Sequence, residues 1–548
     1  MKTILSILLV AAGLAAGLQG CNPFIEAPVS STQIQRENIR TVNDLDVLIT
    51  GAYSGIAREI AFGGNAPLIG ELMGDLLAVN NTNFRTAPGR LSRAYFLTHR
   101  EEDYGAQAEF LQWSTFGLNN ANNVLEVLQL NQVQTPGETD PRRDIARQRG
   151  RLEGEARFVR AMCVFEQTRL LGYPWGFTPD NSQPGPISTY RSLATFGDLS
   201  YPRMSVRMAY DSVLADLRRA EALLPDNFDP ALHPADFRPR GNRYAALALM
   251  ARVYWQQDNM DSVRAVTNRL LGAGGNRFPL EPGASMLTNL YQRTGILPTT
   301  NSASRGEVIF ELVNVAGRNA RSVVGAPLRV SYVLQVPYTA AQLANVNTLN
   351  AGPNVRLGQR FKTLANFDRQ RDLRYRTLID TSQASRATEA WDSPNRLWFT
   401  RKWGTTTPTG TTPGPAQGVN INIPVYRAAE FVLMRAEANA RLGNPASALA
   451  DLNSVRTRAG LPALAGASAD LLADIRTEYL RELFTEGVRV HDLKRRRASV
   501  SPGDRALSPG GIDCTVSGCA DVPWNSRLLV FLVPQVFLDR NPLATQND

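Results

Sequence analysis

The chain has 548 residues, 43% of them hydrophobic and 20% charged, and carries a formal net charge of +9. That composition excludes a disordered or fibrous chain and supplies a large core with room for more than one lobe. The basic excess is spread along the chain and is dense only at Pro141–Arg151 and Lys494–Arg497. It reads as solvated helix faces and ion pairs, with no nucleic acid as partner.

Residues 1–20 pair Lys2 with an apolar run from Ile4 to Leu18. The run is too short and too early for a stable membrane span and reads as an export signal. Its end, Leu18-Gln19-Gly20-Cys21, resembles a bacterial lipobox, in which the cysteine is diacylated and becomes the first mature residue. The expected lipidation site is Cys21, with residues 21–41 as the lipidated tether. Each buried CH₂ of such an anchor contributes about 0.8 kcal/mol.

From residue 42 the periodicity becomes helical. Val42–Glu59 places Leu45, Leu48 and Ala52 on one face and opens an N-terminal helical region over 42–272. Residues 62–103, rich in Gly, Asn and Arg, read as an irregular loop too long for a simple connector. Tyr104–Leu130, Arg149–Leu171 and Ser205–Leu224 are predicted helices, separated by Pro- and Gly-rich breaks, and Asn242–Leu271 is a helical hairpin. Over 273–424 the helical period fades into a loop-rich inserted lobe, with a short strand at Glu307–Val313 and a helix over 366–380. Residues 425–548 return to helix and end in a tail.

The hairpin at Arg427–Ala459 is the clearest element. Phe431, Met434, Ala438 and Leu442 share one helix face, and Ala448, Leu452, Val455 and Ala459 share the next. Gly443, Asn444 and Pro445 between them suit a left-handed C′ residue, a cap and a first helical position. Met250–Leu271 repeats the construction: Ala251 stands eight residues before Asn259, as Ala436 does before Asn444. One such unit cannot bury its own face, so units stack. The fold class is mainly α: tetratricopeptide-like stacked helical hairpins, an α-α superhelix, carrying a loop-rich lobe with few short strands.

Little in the chain points to chemistry, and no catalytic residue, cofactor or metal site is expected. His99, His233 and His491 lie in separate segments without metal-ligand spacing. Glu478, Arg481, Glu482, Glu486, Arg489 and Asp492 stand three and four apart and read as structural ion pairs along a helix. Cys163 lies in an apolar helix and reads as buried. Cys514 and Cys519 enclose a short loop and suit a local disulfide in an exported chain.

Taken in order, these pieces resemble the SusD/RagB-type family of outer-membrane nutrient-binding lipoproteins. The resemblance rests on Cys21, the Trp113 helix with NNANNVLEVL, GEARFVRAMCVFEQTRLLGYPWG, SVRMAYDSVLADLRRAEALLP, NFDRQRDLRYR, the 425–462 hairpin, IRTEYLRELFTEGVRVHDLKR and the closing NPLATQND. Tyr479 and His491 depart from the pattern, standing where a charge and an aromatic are usual. The resemblance implies non-catalytic capture of an oligosaccharide or peptide at the outside of the outer membrane. It also implies lipid anchoring and delivery to a SusC-like TonB-dependent outer-membrane transporter.

Sugar recognition needs flat aromatic faces rimmed by polar side chains. Family members build their ligand face from two regions, here the 62–103 loop and the lobe. The expected ligand contacts are Asn81, Asn83, Phe84, Arg85 and Tyr95 from the first, and Tyr332, Trp391 and Trp398 from the second. Trp403, beside Lys402, reads as structural. Stacked hairpins also suit an exported scaffold for envelope assembly, and loop aromatics suit peptides as well as glycans.

Overall fold

In the computed structural model of the chain, the described residues are 38–58, 61–79, 90–97, 106–188, 190, 201–272, 277–293, 295, 306–314, 332, 354–381, 397–403, 421–466, 470–502 and 521–547. Cys21, Cys514 and Cys519 lie outside them. So do Asn81, Asn83, Phe84, Arg85 and Trp391.

Helix α1 (Val42–Ala57) starts at a capping box: the Thr41 hydroxyl accepts from the Asp44 amide, and the Asp44 carboxylate accepts from the Thr41 amide. Its Leu45, Ile49, Ala52 and Ile56 are buried. Next come α2 (Asn65–Leu72), β1 (Leu77–Val79), α3 (Arg90–Phe96), α4 (Ala106–Gln129), α5 (Ile145–Leu171), α6 (Val206–Leu223), α7 (Arg243–Gln256) and α8 (Met260–Leu271). The inserted region supplies β2 (Val308–Leu312), β3 (Val355–Leu357), α9 (Gln359–Ala365), α10 (Leu373–Leu378), β4 (Ile379–Asp380) and β5 (Phe399–Thr400). Then follow β6 (Ile423–Arg427), α11 (Ala428–Arg441), α12 (Pro445–Arg458), α13 (Leu471–Leu483), α14 (Arg489–Arg495) and α15 (Gln535–Arg540).

The helices stack in series. α1 packs on α4, α4 on α5, α5 on α6, α6 on α7, α7 on α8, α8 on α11, and α11 on both α12 and α13. Because α8 lies directly on α11, the described elements between them, β2 to β6, are inserted between two consecutive helices of the stack. Antiparallel β2 and β6 close the stem of that insertion. The two hairpins match their sequence pattern: Asn259 caps α8 through the Ser262 amide, and Gly443 takes φ +76 before Pro445. Asn444 occupies the cap position, but its side-chain amide donates to the Leu442 carbonyl instead. Ala251 and Ala436 are fully buried, which lets the paired helices approach closely.

Three expectations change. Residues 62–103 are not wholly irregular, since α2, β1 and α3 form there. Almost every residue of α2 is buried, so it has no polar stripe for periodicity to reveal. The helix expected over 366–380 shrinks to α10, since 366–372 is not helical and 379–380 is β4. Asn366 at φ +40 ends α9, and Asp372 caps α10 through the Arg374 amide. The basic runs are not simply solvated either: Arg151, Lys494 and Arg495 are buried. Arg151 pairs with Asp46 and Glu155, and Arg495 with Glu437 and Asp492.

The closing NPLATQND sews the tail to the frame. The Asn541 amide group exchanges hydrogen bonds with the Tyr201 backbone, Gln546 does so with Val533, and Asn547 donates to the Leu171 and Phe531 carbonyls. Tyr479 stacks on Trp255 with centroids 6.3 Å apart, so the unusual residue there serves as core.

α2 is held by direct backbone contact. Gly487 has φ +82, and a Cβ on it would lie 2.4 Å from Pro67 Cα. Gly443 has a similar φ with nothing within 4 Å. Gly443→Ala therefore meets only the conformational cost, about 1–2 kcal/mol. Gly487→Ala adds a backbone clash to that cost. Guanidinium unfolding should show it to be the less stable variant by about 2 kcal/mol or more; equal losses would contradict this packing.

Candidate functional site

The loop arm and the lobe, the two regions expected to carry the site, are joined by a small sheet. β1 pairs antiparallel with β3, Leu77 opposite Leu357 and Val79 opposite Val355. The Leu357 amide donates to the Trp398 carbonyl at 2.9 Å, and β5 continues into β4. Arg356 donates to the Val79 carbonyl at 2.6 Å, and Arg360 pairs with Asp75 at 2.8 Å. β1 leads directly into Asn80 and Asn81, and Trp391 precedes Trp398 in the segment entering β5.

Three expected ligand contacts are not on that surface. Tyr95, Tyr332 and Trp398 are each at most 1% exposed. The Tyr95 hydroxyl donates to the Leu77 carbonyl and backs β1. Trp398 meets Tyr375 edge-on at 5.2 Å and Phe361 at 6.5 Å. A short sheet with one face toward the frame needs large apolar side chains beneath it, and these rings fill that role. Trp403 is structural as expected: it is buried, and its indole N–H donates to the Thr485 carbonyl.

A cleft absent from the sequence reading opens between α5, α7, β6 and the Glu486–Val488 turn, with about 540 Å³ of empty space open to solvent. Phe62, Trp403 and Ile423 line it, with Glu166, Arg169, Arg252 and Glu486. Its charges are matched within the protein. Arg252 clasps Glu430 through two 2.7 Å contacts, and Arg169 pairs with Glu166. The available signal was Glu166 and Arg169 three apart in the C-terminal half of α5, where the neighbouring residues from Ala161 to Phe165 are apolar.

Below the cleft lies a buried ionic knot. All five Arg427 donors are used: Glu486 takes two, Glu307 one, the Glu482 carboxylate one and the Glu482 carbonyl one. Lys402 donates to the Glu482 and Phe484 carbonyls and to Glu486. Arg374 joins Asp372 and Glu482. The pairing is thus mainly between distant segments and not, as expected, between neighbours on one helix. Every acid has a cation, so none is poised to move a proton. Among the described residues no cluster of His, Cys, Asp or Glu could hold a metal ion. Burial drives the Cys163 thiol upward, and burial with nearby cations holds His491 well below its usual range. His233 accepts the Asp229 amide on Nδ1.

The knot and its neighbour α2 respond to pH in opposite senses. Burial works against the charged form of Glu486, but Arg427 and Lys402 outweigh it and lower its pKa to about 2. Its stabilisation is present above the ordinary value of 4.5 and is lost as pH falls from there toward 2. Glu71 is different. Burial raises it to about 7, although one carboxylate oxygen accepts the amides of Gly487, Val488 and Arg489. Its contribution is present below 4.5 and is lost as pH rises toward 7. Glu486→Gln should unfold more easily at pH 7 and lose about 3 kcal/mol less than the parent between pH 5 and 2. Glu71→Gln should gain on the parent between pH 5 and 8. Denaturant titrations across pH check both, and parallel pH profiles would contradict them.

A family model described as the SusD family matches residues 358–515, and one described as starch-binding associating with outer membrane matches residues 65–255. A SusD superfamily protein from Bacteroides thetaiotaomicron VPI-5482 has a similar structure, with a TM-score of 0.72 at 19% identity over 93% of this chain and 100% of that one. A SusD superfamily protein from Bacteroides vulgatus ATCC 8482 gives 0.69 at 22% over 93% and 99%. A laminarin binding SusD-like protein gives 0.63 at 18% over 93% and 99%. No curated protein matches by sequence. Two family models on the arm-bearing helices and on the knot, with the stacked hairpins between and around them, place the chain in the SusD/RagB-type family.

Proposed function

We propose that this protein captures glycans without cleaving them, held by a lipid on Cys21 at the outer face of the outer membrane, and passes them to a SusC-like TonB-dependent transporter. The observation that carries the reading is the match of residues 65–255 to a family described as starch-binding associating with outer membrane. The matched stretch contains the arm and β1, which the sheet ties to the lobe. The laminarin-binding neighbour of the same fold points the same way. A cleft whose charges are already matched and a knot with every acid paired fit binding and not bond breaking. No helix among the described residues is long and apolar enough to cross a membrane, and the Cys21 lipid supplies the anchor in this reading. Ligand contacts are assigned to Asn81, Asn83, Phe84 and Arg85 on the arm and to Trp391 on the lobe.

Two measurements test it. The chain without residues 1–21, run in native gels containing starch, laminarin or other polysaccharides, should be retarded by at least one and release no new reducing ends. Retardation by none, or turnover of any, would sink the reading. In cells, Cys21→Ser should abolish incorporation of labelled palmitate and release the protein from the membrane fraction. Continued labelling would rule out that anchor.

A further inference from the structure

The loop leaving α5 forms a second aromatic surface, remote in sequence from the arm and the lobe. Tyr173, Trp175 and Phe177 follow the helix within GYPWGF. Tyr173 is buried and stacks on Phe177 at 4.1 Å and 19°, which holds Phe177 out at 36% exposure. Trp175 is half-buried against Tyr210 at 5.0 Å, with the Arg207 guanidinium 5.9 Å from its ring.

The loop is locked from behind. The Gly176 amide donates to the Asn181 carboxamide at 2.6 Å, the Gln183 amide group to the Pro174 carbonyl at 3.1 Å, and Arg207 to the Asp180 carbonyl at 2.6 Å. Gly176 has φ +81, which favours glycine, and a Cβ there would lie 2.7 Å from Arg497 Nη2. The exposed Arg497 guanidinium therefore rests on the crest between Trp175 and Phe177. It also lies 5.4 Å from the ring of the half-buried Trp524. Unlike the arginines of the knot, it has no carboxylate partner and no side-chain hydrogen bond among the described residues.

We propose that this crest is a glycan-binding subsite. Pyranose rings would lie against Trp524, Trp175 and Phe177, and their hydroxyl or carboxylate oxygens would take the Arg497 donors. Partly open ring faces beside planar donors are what a sugar needs, and a pre-locked loop loses little entropy on binding. The open apolar area is three partly covered rings. That is small against the roughly 800 Å² per partner of a stable protein interface, so a protein is the poorer fit. The proposal rests on the glycan-capture reading.

The test uses the chain without residues 1–21 in polysaccharide gels with starch and laminarin as neutral probes and polygalacturonate as an acidic one. Trp524→Ala and Arg497→Met should each weaken the retarding interaction about tenfold while melting within a few degrees of the parent. Preferential loss on polygalacturonate would assign the Arg497 contact to a carboxylate. As a second measurement on the unaltered chain, N-bromosuccinimide oxidation mapped by mass spectrometry should show Trp175 and Trp524 protected by the retarding polysaccharide. Retardation of the parent with unchanged variants and no protection overturns the subsite alone. A parent retarded by no polysaccharide overturns the capture reading with it.

Discussion

Glu482 holds three guanidiniums at once, and the lobe's position follows from that. Arg374 arrives from 108 residues away, Arg427 from 55, and Arg458 from the neighbouring helix α12. The carboxylate is fully buried, so each partner must be present and in place, or a charge is left in a medium that cannot solvate it. An apolar cluster of equal volume could be as stable, because desolvating so many charges offsets much of their attraction. What it could not do is fix one geometry. Arg427 has five donors in a rigid plane and five acceptors waiting for them, so the β6–α11 junction has a single orientation that satisfies all of them.

The same turn that carries the knot also holds the arm. Lys402 grips the carbonyls of Glu482 and Phe484, Trp403 the carbonyl of Thr485, and Glu71 the next three amides, from Gly487 to Arg489. A stretch of eight residues is therefore shared between lobe, frame and arm. Arg489 then reaches Asp75, which also holds Arg360 beside the β1–β3 sheet. Because these contacts share partners, substitutions among them should not add independently, which couples α2 and the sheet energetically to the turn after α13.

The hairpins were readable because a half-buried helix shows its period. Phe431, Met434 and Ala438 turned out buried, as did Ala448, Leu452 and Val455. Gly443 was readable because only one backbone conformation suits it there. α2 was not readable, since a helix buried on nearly all sides has no stripe. The knot was half readable: the acids stood out, but sequence spacing offers only local partners, and the partners of Glu482 and Glu486 lie mostly in other segments. Tyr95, Tyr332 and Trp398 misled for a related reason. An aromatic in a Gly- and Asn-rich stretch looks exposed from its neighbours, whereas its exposure depends on what folds over it. Asn81, Asn83, Phe84, Arg85 and Trp391 fall outside the described residues.

The contrast between those buried rings and the crest after α5 turns on how a helix ends. The last carbonyls of α5 have no partner within the helix and must find one elsewhere. Arg169 offers its carbonyl to Lys494, Leu170 to the Phe531 amide, and Leu171 to both Arg203 and Asn547. Lys494 is buried among those carbonyls, and burial with Arg169 nearby lowers its pKa to about 7. Four donors from three distant segments thus fix the direction in which the chain leaves α5. The residue after them is Gly172, and Tyr173 to Phe177 must project from that fixed end. The tail motif, far from these aromatics in sequence, is therefore part of what fixes the point from which the Tyr173–Phe177 loop departs.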